Sequence, residues 1–184
     1  MGLAACDELA ATAATLRETG VCARAFGGRG ERETPESILP NNRLSPHCNN
    51  YVALYPMQSP GRRRERRTDV IEMLAAEYRV QGVIDCPGLE HDDLFLRDTG
   101  AVVLDPVANV ACTARSQHAD LIALKYLCSH LNFEPMAFTP ADASGLPAHH
   151  THAMTCVATA FALVGVDRMD DPKRRAEVRA RQCA

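Results

Sequence analysis

One architectural unit recurs along this chain of 184 residues, and it restricts the fold more than any other property of the sequence. The apolar run from Tyr51 to Met57 predicts a strand, Thr68 to Arg79 a helix, and Val83 to Cys86 a further strand. The helix carries Val70, Ile71, Leu74 and Tyr78 on one stripe, with Thr68 or Asp69 available as its cap. The pattern returns with Ala101 to Asp105 and Val110 to Ala114 as a hairpin, His118 to Leu131 as a helix, and Pro135 to Thr139 as a strand. The stripe of this second helix is Leu121, Leu124, Leu127, Cys128 and Leu131. A third start pairs Met154 to Thr159 with Phe161 to Val166, followed by a helix opened by Asp171 and Pro172. The unit is strand, strand, helix, strand at about 50 residues, a period typical of propellers and solenoids. Such units bury their faces against neighbours, so three in an open array leave an apolar face and sheet edges uncovered. The third helix offers only Ala176, Val178 and Ala180 to a core. The expectation is a truncated piece of a larger closed fold, or a chain that closes through another copy as a homo-oligomer.

The flanking sequence divides the chain at residue 40. Residues 1–40 are expected to hold an Ala-rich helix that stops at Gly20, then a flexible linker rich in Gly, Arg, Glu and Pro. The folded domain is assigned to residues 41–184. With 46% hydrophobic and 23% charged residues, the chain can bury a core. No uncharged apolar run reaches the roughly 18 residues of a membrane span, and Asp7 and Glu8 interrupt the N-terminal apolar segment. A soluble cytoplasmic protein with no membrane partner is therefore expected. A net charge of -3 gives no long-range attraction to nucleic acid, although all the basic residues except Lys125 and Lys173 are arginines. Eight scattered cysteines without a Cys-x-x-Cys pair suggest buried reduced thiols rather than a disulfide scaffold.

Three segments carry candidate chemistry. His149-His150-Thr151-His152 is the densest group of bases, and a strand entrance there would aim His150 and His152 to one face. A single catalytic His suits its near-neutral pKa, while zinc held by His150, His152 and Cys156 is the alternative. The basic run Gly61 to Arg67 lacks interleaved aromatics and reads as a solvated loop entering a helix. The acidic loop from Glu90 to Asp98 has carboxylates able to grip a guanidinium group, with no partner evident in the sequence.

Three blocks together resemble a known family. They are Asn49 to Pro60 followed by Arg62-Arg63 and Glu65-Arg66-Arg67, then Phe95 to Asp105, then His149 to Met154. In order and with matching gaps over about residues 40–169, they are similar to the amidinotransferase and citrulline-utilisation hydrolase branch of the guanidino-group-modifying enzymes, the penteins. The resemblance implies a five-bladed α/β propeller whose blade is the unit described above, so about three of five blades are expected here.

It also implies chemistry. Family members attack the guanidinium or ureido carbon of an arginine-like small molecule with a Cys thiolate, use a His as general acid and base, grip the substrate nitrogens with carboxylates, and need no cofactor or metal. The matching His is His150. The carboxylate of the Leu-Glu-Gly-Thr-Gly block falls on Arg97, with Asp98 beside it as a partial substitute. The Asp of the Asp-Asn pair falls on Asn41, and His152 stands where Asn is usual. None of the eight cysteines has the context of the family's nucleophile, which comes from the last blade. Arg97 would repel a guanidinium by like charge, and one lost charged contact costs about 1.5–3 kcal/mol. The resemblance therefore implies an enzyme-like protein of impaired catalysis, with a non-catalytic remnant that binds a ligand or partner as the other reading.

Overall fold

A computed structural model describes residues 2–27, 34, 44–96, 98–116, 118–140, 151–169 and 171–182. Among them the helix, hairpin and crossover order recurs as expected, on three small sheets of a mixed α/β fold. After the N-terminal helix α1 (Gly2–Glu18), unit one runs β1 (Leu44–Pro46), β2 (Tyr51–Leu54), α2 (Pro60–Arg64), α3 (Thr68–Glu77) and β3 (Gly82–Asp85). Unit two runs α4 (Asp98–Ala101), β4 (Val102–Asp105), β5 (Val110–Ala114), α5 (Leu121–Leu131) and β6 (Glu134–Phe138). Unit three runs β7 (Thr155–Val157), β8 (Ala162–Val164) and α6 (Pro172–Gln182). In units one and two an antiparallel hairpin is joined by a parallel strand that returns through the helix, giving the orders β1-β2-β3 and β4-β5-β6. β7 and β8 form an antiparallel pair.

The two complete units share their turn chemistry. Asn50 and Asn109 end the first two hairpins with φ of 64° and 52°, a left-handed conformation that Asn tolerates better than most residues. Their carbonyls then accept from the residue beside the returning strand, Gln81 N at 2.8 Å and Glu134 N at 2.7 Å. Gly82 sits opposite Tyr51 in the parallel pair, and a Cβ there would meet the Tyr51 ring at 2.9 Å. Asp120 caps α5 by accepting from Ile122 N and Ala123 N, and Asn132 closes that helix at φ 59°.

The core lies between units. Ala53, Tyr55, Ile84 and Cys86 of sheet one join Ala123, Leu124, Leu127, Cys128 and Leu131 of α5 and Ala111 and Ala137 of sheet two in one cluster. The opposite face of sheet two, Val110, Cys112, Ala114, Met136 and Phe138, packs with Met169, with Val178 of α6 and with Val164 of β8. β5 is thus buried on both faces, which explains its unbroken apolar reading.

Several local expectations are corrected. β1 was invisible to periodicity because it is three residues long, contains Pro46 and occupies a sheet edge. The acidic loop does not run directly into the strand expected from Ala101: Asp98 to Ala101 form a helical turn and the strand begins at Val102. Thr151 to Ala153 form a 3₁₀ turn, so the strand alternation expected at His152 does not operate. The basic run is no solvated loop: it forms α2, in which Arg62 is 4% exposed and pairs with Glu65, 3% exposed, at 3.0 Å. Residues 21–27, within the expected linker, meet the ends of α3 through the Arg24–Glu77 ion pair and through Arg67, which donates to Gly27 O and lies over the Phe26 ring.

Candidate functional site

The segments predicted to carry the chemistry converge where α4 meets the 3₁₀ turn at Thr151–Ala153. Thr151 is 1% exposed, and its Oγ1 donates to the carbonyl of Ala101 while accepting from Ala114 N at 2.8 Å. Thr113 Oγ1 donates to the same Ala101 carbonyl at 2.6 Å. His152 Nδ1 donates to Gly100 O at 3.2 Å, which places its proton on that nitrogen when the ring is neutral. Four polar contacts therefore bind residues 100–101, the end of β5 and residues 151–152 into one unit.

The chain entering α4 is held as firmly. Leu96 is fully buried, its N–H donates to Pro56 O at 3.2 Å, and Phe95 O accepts from Asp120 N at 2.8 Å. Glu90, the first residue of the acidic loop, lies behind this segment. Its carboxylate accepts from Met57 N at 2.6 Å and from Arg66 Nη2, and its second oxygen is 3.4 Å from Arg63 Nε. Arg63 also donates to Met57 O at 2.7 Å and stacks over the Phe95 ring at 5.7 Å. The guanidinium partner of this acidic residue is thus supplied by the chain's own basic run. Sequence reasoning noted both charge runs and missed that they neutralise each other, because 24 positions separate Arg66 from Glu90.

Of the sequence-predicted site residues, Asp98 opens α4. Arg97, Asn41 and His150 lie outside the described residues. Residues next to two of them are placed: Leu96 and Asp98 flank Arg97, and Thr151 follows His150. For the zinc alternative, His152 is engaged with Gly100 O and Cys156 lies exposed on β7. Among the described residues no group of three or more His, Cys, Asp and Glu is placed to hold a metal ion. Nor is any helix among them long and apolar enough to cross a membrane.

The thiols divide by environment. Cys86, Cys112 and Cys128 are buried, and loss of solvation pushes each up to about 12. Such thiols keep their protons at neutral pH. Cys6, Cys22, Cys48 and Cys156 are exposed.

The chain is similar to known proteins in sequence and in fold. Residues 3–183 match the model of a family described as N,N dimethylarginine dimethylhydrolase, eukaryotic. The N-terminal domain of ArgZ, an arginine dihydrolase from the ornithine-ammonia cycle in cyanobacteria, solved with substrate bound, is 16% identical with a TM-score of 0.61. That likeness covers 98% of this chain and 60% of the ArgZ domain, so the chain spans about three fifths of its length. AgrE in ternary complex with ornithine and NAD+ is 15% identical with a TM-score of 0.66, over 95% of this chain and 24% of AgrE. An AgrE mutant with L-arginine is 17% identical with a TM-score of 0.59, over 85% and 21%. Among curated proteins none matches.

Proposed function

We propose that this chain, which belongs to the eukaryotic N,N-dimethylarginine dimethylhydrolase family and so to the guanidino-modifying superfamily, binds the guanidino or ureido group of an arginine-like small molecule and is impaired in turning it over. The observation that carries this reading is the double hydrogen bond of Thr151 to Ala101 and Ala114. It holds the turn that opens with Asp98 against the turn that follows His150, the two blocks that carry the family's substrate-gripping and proton-transferring positions.

In this reading the Asp98 carboxylate accepts paired N–H donors of the substrate's guanidinium. His150 takes a proton from a water that attacks the guanidinium carbon and passes it to the amine nitrogen as the C–N bond breaks. Arg97 sets a fixed positive charge against the same guanidinium, and Asn41 offers a carbonyl acceptor without charge. Both weaken substrate binding and the approach to a charged transition state. No covalent step is assigned to a cysteine here. The buried thiols Cys86, Cys112 and Cys128 are too basic to form thiolate at neutral pH.

Calorimetric titration with arginine, citrulline and N,N-dimethylarginine, together with assays for ammonia, urea, ornithine and dimethylamine, tests both halves. Saturable binding that Asp98→Asn abolishes and Arg97→Glu tightens is expected, with little or no product. Absence of binding at millimolar concentrations would remove the ligand reading. Ready turnover that is lost in His150→Ala would remove the impairment.

A further inference from the structure

The peptide group between Pro56 and Met57 is used on both of its edges. Its N–H, that of Met57, donates to the Glu90 carboxylate at 2.6 Å, and its carbonyl, that of Pro56, accepts from Leu96 N at 3.2 Å. A trans peptide group is planar, with N–H and C=O pointing in opposite directions, so whatever holds the N–H also sets the aim of the carbonyl. Glu90 therefore fixes, across one rigid plate, the acceptor that the chain meets immediately before Arg97 and Asp98. A charged acceptor on the N–H side also polarises the peptide and strengthens its carbonyl as an acceptor. Pro56 and Leu96 are fully buried, and Met57 and Glu90 nearly so.

A second route from Glu90 runs through a side chain. Met57 O accepts from Arg63 Nε at 2.7 Å, that nitrogen lies 3.4 Å from the second Glu90 oxygen, and the guanidinium lies over the Phe95 ring at 5.7 Å. Both routes end on consecutive residues, Phe95 and Leu96. The loop between Glu90 and Phe95 is closed on itself by Leu94 N donating to Leu89 O at 3.1 Å. On its far side Phe95 O accepts from Asp120 N at 2.8 Å.

We infer that Glu90 is a positioning residue for ligand binding: it sets where Asp98 presents its carboxylate, by holding Leu96 through the Pro56–Met57 peptide and Phe95 through Arg63. The inference rests on the guanidino-binding reading above, in which Asp98 accepts the ligand's N–H donors. Loss of the charge at Glu90 loosens the plate and the stack together, and the chain entering α4 then samples positions in which Asp98 misses the ligand.

Three variants of the full chain test this. Glu90→Gln keeps the shape of the side chain and removes its charge, and Arg63→Met removes the stack while leaving the bond from Met57 N to Glu90. Arg67→Met is the control, because Arg67 belongs to the same basic run and also lies over an aromatic ring, Phe26, but meets Asp69 and Gly27. All are compared with the natural chain well below their melting temperatures, by amide hydrogen exchange and by calorimetric titration with arginine and N,N-dimethylarginine. Leu96 N–H should exchange about tenfold faster in Glu90→Gln and in Arg63→Met, and at the natural rate in Arg67→Met. Affinity should fall about tenfold in the first two with the number of sites per chain unchanged. A merely destabilised protein would instead lose sites and keep the affinity of those that remain. Leu96 exchange that neither variant alters, an affinity that survives faster exchange, or an equal loss in Arg67→Met would each overturn the inference while leaving the binding reading in place. A natural chain that binds neither compound overturns that reading, and the inference with it.

Discussion

Thr151 and Ala101, 50 residues apart, are joined by a hydrogen bond from a buried hydroxyl to a carbonyl, and Ala114 N donates to that same hydroxyl at 2.8 Å. Ala101 O keeps a second donor in Thr113, so Thr151→Val strands chiefly the Ala114 N–H. A buried donor left without an acceptor costs about 1–3 kcal/mol. Urea unfolding of Thr151→Val should show a loss of this size, and Thr151→Ser should recover most of it.

Glu90 lies between Arg63 and Arg66 and also accepts from Met57 N. Glu90→Gln removes the charge that both guanidinium groups share. The arginines are partly exposed, which moderates the effect to about 2 kcal/mol. Thermal unfolding should shift downward accordingly. Proteolysis should become faster between Glu90 and Phe95, because the stack of Arg63 on Phe95 loses its anchor.

Leu127 and Leu74 hold equivalent places on α5 and α3, with Leu127 fully buried and Leu74 only half-buried. Leu127→Ala should cost about 2–5 kcal/mol, as removal of a fully buried leucine does. Leu74→Ala, measured at low micromolar concentration, should cost clearly less, because water already reaches part of its side chain. Equal losses in chemical denaturation would mean that α3 is as well covered as α5.

Alkylation separates the two classes of thiol. At pH 8 a thiol raised to about 12 is thiolate in roughly one molecule in ten thousand. Iodoacetamide followed by mass spectrometry should label Cys6, Cys22, Cys48 and Cys156 in the native protein. Cys86, Cys112 and Cys128 should remain protected until denaturant is added.

His47 gives stability a pH dependence of known sign. Its Nε2 is 2.8 Å from Ser45 Oγ, which is itself 2.7 Å from Tyr55 Oη, and burial holds the imidazole below its ordinary 6.5. Above 6.5 the ring is neutral in both states and no stability is lost. As pH falls below 6.5 the unfolded chain takes up the proton first, so stability declines until the folded ring also titrates. His47→Gln should flatten the difference in melting temperature between pH 7.5 and pH 5.

How much of this was visible in the sequence depends on the range of each interaction. α5 was legible because its stripe is a local signal, although the helix starts at Leu121 behind the Asp120 cap rather than at His118. The third hairpin and α6, with Asp171 accepting from Lys173 N, were legible for the same reason. The Arg66–Glu90 pair and the Thr151–Ala101 bond were not, since charge and hydroxyl content say nothing about partners 24 and 50 residues away. Motif order brought Asp98 and His150 into view as a pair, but the hydroxyl that ties their segments together, Thr151, gave no signal beyond its place between two histidines.

The hairpin asparagines act as fixed docking points for the returning strands. Asn50 and Asn109 each present one carbonyl that receives the chain just before or at the start of the third strand, whatever lies between. Unit one interposes both α2 and α3, unit two interposes α5 alone, and both end in the same parallel pairing. Register is therefore decoupled from the length of the excursion. Between hairpin and third strand unit one carries α2, with the Arg62–Glu65 pair and the Arg63 contacts to Met57 and Phe95, while keeping the strand pairing of unit two.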